Sequence, residues 1–69
     1  MAKFNEIRVG SILTGNPTIG NHQLEAGIVL RMVSVLPGGA ERSGSVDIYW
    51  FRSKKTDWEY PEYLTLVLP

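Results

Sequence analysis

The chain has no cysteine among its 69 residues. Disulfide frameworks, thiolate zinc modules, thiol catalysis and redox switching are excluded together. It also lacks a charge excess. Seven basic and seven acidic residues cancel, whereas a protein that grips phosphate normally carries a basic excess or stripe. No apolar run approaches bilayer-spanning length, and the opening MAKFNEIR has no apolar segment of the kind a signal peptide needs. A soluble, cytoplasmic protein without membrane contact is the expectation. No segment keeps a helical apolar period over successive turns, and no repeat is visible. The groupings that chemistry requires are missing too: no nucleophile stands beside a base, no carboxylates pair at a readable spacing, and no glycine-rich loop is placed to hold phosphate. These absences argue against an enzyme and against a bound cofactor.

What is present is globular. Hydrophobic residues make up 43% of the chain and charged ones 20%, spread throughout, so the composition can support a core. Residues 1–69 form one domain, because dividing them would leave pieces too small to bury a core without metal or disulfides. A stability of roughly 3 to 10 kcal/mol is expected at ~0.05 to 0.15 kcal/mol per residue. One lost aromatic anchor is then enough to unfold the domain, and self-association would help it.

The apolar pattern is that of short strands. Met1 to Glu6 is a lead-in. Gly10 permits a change of direction before a first strand over about Ser11 to Thr14. Gly15 to Gly27 carries Asn16-Pro17 and Gly20-Asn21, which is turn chemistry, and reads as a long loop. Gly27 to Leu36 is rich in β-branched residues and stops at Pro37-Gly38-Gly39. In strict alternation it sets Ile28, Leu30 and Met32 on one face and Val29, Val33 and Val35 on the other with Arg31. A strand apolar on both faces either bends to serve two sheets or is covered by a second chain, and the bent form is expected here.

After a polar loop from Pro37 to Ser45, the stretch Val46 to Tyr60 holds both tryptophans, two of the three tyrosines and one of the two phenylalanines. Val46, Ile48 and Trp50 face one way and are the expected core; Asp47, Tyr49 and Phe51 face the other. Arg52 to Asp57 turns the chain, and Trp58-Glu59-Tyr60 returns it. Pro61 donates no backbone hydrogen, so Pro61 to Leu64 reads as a single 3₁₀ turn. Thr65 to Leu68 is a final strand, with Leu64, Leu66 and Leu68 on one face and Val67 on the other.

The segment Ile7-x-Val9-Gly10-Ser11-Ile12-Leu13 resembles the opening of many SH3-like barrels. Gly27-Ile28-Val29 resembles the start of their second strand, and Pro61-Glu62-Tyr63-Leu64 is similar to the turn before their last. The likeness runs from Ile7 to Leu68. It implies an all-β fold, a small five-stranded SH3-like barrel with a long first loop and one 3₁₀ turn before the last strand. The chain also looks like the small barrel proteins encoded by tailed phages.

The aromatic set Tyr49, Phe51, Trp58, Tyr60 and Tyr63 is the candidate partner-binding surface, since flat rings suit a protein partner or another copy of the chain. The competing expectation is that Trp50, with one of Trp58 or Tyr60, simply fills the barrel. Peptide-binding SH3 domains hold polyproline ridges in an aromatic groove, but here the first strand and loop lack a tyrosine pair and Glu25 is the loop's one acid. A proline-rich ligand is not expected. Arg52, Lys54 and Lys55, flanked by Phe51 and Trp58, are the alternative candidate, for nucleic acid, and resemble a loop of the RNA-binding KOW barrels. Against this, Asp57, Glu59 and Glu62 follow at once, and the loop before Gly27 has no lysine or arginine. His22-x-x-Glu25 offers two ligands at most, which does not make a metal site.

Overall fold

The computed structural model describes residues 2–15, 25–34, 38 and 41–69. It is all-β. Among the described residues, five antiparallel strands form one sheet: β1 (Ile12–Gly15), β2 (Ala26–Met32), β3 (Val46–Trp50), β4 (Lys55–Glu59) and β5 (Leu64–Leu68), in the order β4-β3-β2-β1-β5. The first four strands follow one another across the sheet, and β5 returns beside β1. A 3₁₀ turn at Pro61–Tyr63 feeds β5. These are the elements expected of a small SH3-like barrel, except that most of the long first loop (16–24) lies outside the described residues, as do Val35 and Leu36 at the expected end of the second strand. A further 3₁₀ turn occupies Phe4–Glu6 in the lead-in. The Glu6 carboxylate closes it by accepting the Lys3 N–H at 3.1 Å.

Alternation along β3 decides the core. Val46, Ile48 and Trp50 are each 0% exposed, as the sequence predicts, and they meet Leu13 (0%), Val29 (1%), Leu64 (1%), Ile7 and Ala2. Trp50 is the largest of these side chains, and the strand opposite it must make room. Gly27 pairs with Trp50, and a Cβ at Gly27 would lie 2.6 Å from Ile48 Cγ2 and 2.9 Å from Trp50 Cε3. Glycine is required there by close approach rather than by backbone freedom. Gly10 is different: its φ of 93° turns the chain so that its N–H donates to the Val29 carbonyl at 2.9 Å, a conformation other residues rarely adopt.

Two irregularities reassign faces that strict alternation had set. In β2 the pairing with β3 runs Val29↔Ile48 and then Arg31↔Asp47 and Met32↔Val46, so Leu30 is an extra residue. Met32 thereby joins Val29 on the inner face, Arg31 and Ile28 share the outer one, and Leu30 is left 47% exposed. A bulge of this kind is the irregularity that bends a strand; the strand nonetheless stays within one sheet. In β5, Leu66 pairs with Leu13 but Leu68 pairs with Ile12, which makes Val67 the extra residue. Leu68 therefore does not share a face with Leu64 and Leu66. It shares the outer face with Ile12 and is 59% exposed.

The hairpin between β3 and β4 is tighter than Arg52 to Asp57. Its turn is Phe51 to Lys54, closed by the Lys54 N–H donating to the Trp50 carbonyl at 2.8 Å. Lys54 takes a φ of 56°, the left-handed conformation that ends such turns. Strand pairing consequently resumes at Lys55, three residues before Trp58.

Candidate functional site

The register places Leu68, Ile12, Ile28, Tyr49 and Thr56 opposite one another in succession across all five strands. Directly opposed residues in a sheet share a face, so this is one row on the outer side, and it contains no charge. Ile12, Ile28 and Tyr49 are half-buried in it. Phe51, two residues beyond Tyr49, stands 45% exposed with its ring edge-on to Tyr49 at 6.0 Å between centroids. Leu30 and Val67 (53%) add to this side chain by chain at the two bulges.

The five candidate rings fall into two groups of touching rings, although the register sets Trp58, opposite Asp47, on the same outer face as Tyr49. Tyr49 and Phe51 make one pair. Trp58, Tyr60 and Tyr63 make another stack, with Trp58 to Tyr60 at 5.2 Å and Tyr60 to Tyr63 at 6.5 Å, both edge-to-face. All three rings of the second stack are half-buried, and none is part of the central core. The barrel is filled by Trp50 without help from Trp58 or Tyr60, which corrects the expectation that one of them would join it.

Trp58 is occupied on its outer side as well. The Arg42 guanidinium lies 5.0 Å from the Trp58 ring centroid, within cation–π reach. Arg42 Nη2 also bonds Asp47 Oδ1, and Arg31 Nε sits 3.5 Å from Asp47 Oδ2. Asp47 and Trp58 pair across β3 and β4, so the arginines bridge neighbouring strands. This network ties the polar loop to the sheet and leaves Trp58 little free face.

The basic turn is fully presented. Arg52, Lys54 and Lys55 are all exposed, next to exposed Phe51. Beneath them Glu25, only 8% exposed, accepts the Ser53 N–H. An acid thus anchors the turn that carries the basic side chains. His22 lies outside the described residues, so the pair His22 and Glu25 is not assembled here. Among the described residues no group of three metal-ligating side chains comes together, no pocket opens, and no helix is long and apolar enough to cross a membrane.

Sequence reasoning names Tyr49 and Phe51 as candidates and sees that the strand from Ile28 and the leucines of the last strand are apolar, but it does not set Ile12, Ile28, Leu30 or Leu68 beside those rings. The signal was present in the two-faced apolar pattern of Ile28 to Leu36. What was missing was the pairing register, which alone shows that residues from four strands share a row. Comparison with models of protein families, with curated proteins and with solved structures gives no match to this chain.

Proposed function

We propose that this chain is a non-catalytic small β-barrel that binds a protein partner or another copy of itself, in the cytoplasm of a bacterial or phage-infected cell. The observation that carries the reading is the uncharged outer row Leu68–Ile12–Ile28–Tyr49, flanked by exposed Phe51 and Leu30. Large apolar side chains gathered on one uncovered face mark an interaction surface, whereas single scattered ones do not. Aromatic and aliphatic anchors of this kind supply the buried centre of protein interfaces. The likeness to small phage-encoded barrels supports the cellular setting, which the identity of the neighbouring genes would check.

The test is a Phe51→Lys, Leu30→Lys variant. Both side chains are exposed, so the fold should survive and circular dichroism should match the wild type. The wild type should associate, with itself in light scattering or with a protein retained from bacterial lysate, and the variant should not. A wild type that does neither ends the reading.

A second reading rests on the exposure of Phe51 beside Arg52, Lys54 and Lys55. A ring that stacks on a base and cations that hold its phosphates would bind single-stranded RNA or DNA in a salt-sensitive way. Lys54→Ala with Lys55→Ala should weaken such binding. Absence of binding at low salt removes this alternative.

A further inference from the structure

The chain is neutral as a whole, yet its charges are unevenly placed. All seven basic and all seven acidic residues lie among the described ones. Arg31 and Arg42 both meet the Asp47 carboxylate, and Arg42 also covers Trp58. Lys3 and Arg8 belong to the stretch before β1. Arg52, Lys54 and Lys55 remain. They crowd the tip of the β3–β4 hairpin, all exposed, and no ion pair among the described residues joins them to a carboxylate. The acids of this hairpin lie toward its other end: Asp57 is midway along β4, Glu59 pairs with Val46 at the far end from Lys55, and Glu62 follows in the 3₁₀ turn.

The tip is held in shape from below. The Phe51 N–H donates to the Ala26 carbonyl at 3.0 Å, the Lys54 N–H to the Trp50 carbonyl at 2.8 Å, and the Ser53 N–H to the Glu25 carboxylate. A turn fixed at three of its four residues has little ordering left to lose when something binds. Its first residue, Phe51, is 45% exposed and lies edge-on to Tyr49. An apolar ring and three exposed cations therefore share one short, fixed surface.

Resting on the reading of this domain as a protein-binding module, we propose that its partner is a short acidic segment of another protein. The segment's apolar side chains lie on Phe51 and Tyr49, and its carboxylates meet Arg52, Lys54 and Lys55. Charge complementarity selects that occupant, because guanidinium and ammonium groups form their strongest hydrogen bonds with anions. A nucleic acid would offer phosphates to the same cations. The surface that continues from Phe51 through Tyr49 to Ile28 and Ile12 is apolar, however, which suits side chains and continues no basic track for a backbone. A second copy placed on this tip by a two-fold axis would oppose cations to cations. Only head-to-tail contact with the acidic end would match, and such a contact propagates rather than closes.

Fluorescence anisotropy on the full chain tests this, with a short labelled peptide of alternating aspartate and leucine as the probe. The wild type should bind it, and the same peptide with asparagine for aspartate should bind at least about tenfold more weakly. Added salt should weaken the first and leave the second unchanged. Lys54→Glu with Lys55→Glu should weaken binding about tenfold, and Phe51→Ala about as much. Arg8→Glu, an exposed reversal away from the tip, should change nothing. Should the lysine pair disturb the fold by circular dichroism, Arg52→Glu with Lys55→Glu reads the same contact without touching the left-handed residue. Failure of the acidic peptide to bind overturns the proposal, as do equal binding of the two peptides, indifference to the charge reversals, tighter binding of oligothymidine, and head-to-tail oligomers that the reversals abolish. A bacterial protein retained by the wild type and lost on Phe51→Ala, but kept by both charge-reversed variants, would overturn the acidic partner and leave the proposed function standing.

Discussion

The inner and outer faces of β3 and its neighbours both carry large apolar side chains, yet they differ in what covers them. Inside, Val46, Ile48 and Trp50 are sealed by Leu13, Val29 and Leu64. Outside, Tyr49 and Phe51 continue a row through Ile28 and Ile12 to Leu68 that nothing among the described residues seals. The outer face also carries the charges of Arg31 and Asp47, but its large apolar side chains are of the same kind as those inside. Accommodation separates them: Gly27 leaves the space that Trp50 fills, whereas Phe51 stands 45% exposed. The inner face accordingly holds the fold together, and the outer one is available to a partner.

The sharpest way to break this contrast is to truncate one ring on each face. Trp50→Ala should lose ~3 to 5 kcal/mol, comparable with the whole stability of such a domain, and leave the chain unfolded. Phe51→Ala should stay within about 0.5 kcal/mol of the wild type. Urea denaturation followed by tryptophan fluorescence and circular dichroism reads both. A folded Trp50→Ala protein would mean that the wrong ring has been assigned to the core.

Next in size is Gly27→Ala. One added carbon meets Ile48 and Trp50 at under 3 Å, and overpacking of this kind costs about 1 to 3 kcal/mol. An unchanged melting temperature would show that the indole does not lie across Gly27. The turn joining β3 to β4 offers an effect of opposite sign. Lys54→Gly relieves a left-handed residue at φ 56° and should stabilise by up to about 1 kcal/mol, the cost of that conformation partly offset by glycine's entropy. Destabilisation would mean that the Lys54 side chain itself holds the turn.

The smallest effect is expected at Ser45, just before β3. It is 0% exposed, and its Oγ has no hydrogen-bond partner among the described residues. Ser45→Ala should be neutral or slightly stabilising, because it removes an unsatisfied buried hydroxyl. A loss above about 1 kcal/mol would reveal a bond to that oxygen.

The local pattern carried much of the fold. Apolar and β-branched runs marked four of the strands though not β4, Pro61 placed the 3₁₀ turn, and alternation from Val46 to Trp50 named the central core residues, because each depends on neighbours a few positions away in the chain. The candidate site was half legible: Tyr49 and Phe51 could be set apart from Trp50 by alternation alone, but their partners could not be found. Trp58 looked as available as Phe51, and only the arrival of Arg42 over its ring and Tyr60 at its edge shows that it is occupied.

What alternation cannot see is a bulge. One extra residue at Leu30 and another at Val67 move Met32 inward and Leu68 outward, since a one-residue slip in a two-residue period exchanges the faces. The sequence determined that the chain is all-β and which ring anchors the core, but not that β2 ends at Met32 or that β4 begins at Lys55. The pairing of strands far apart in the chain decided that Ile12, Ile28, Tyr49 and Leu68 share one row on the outer face.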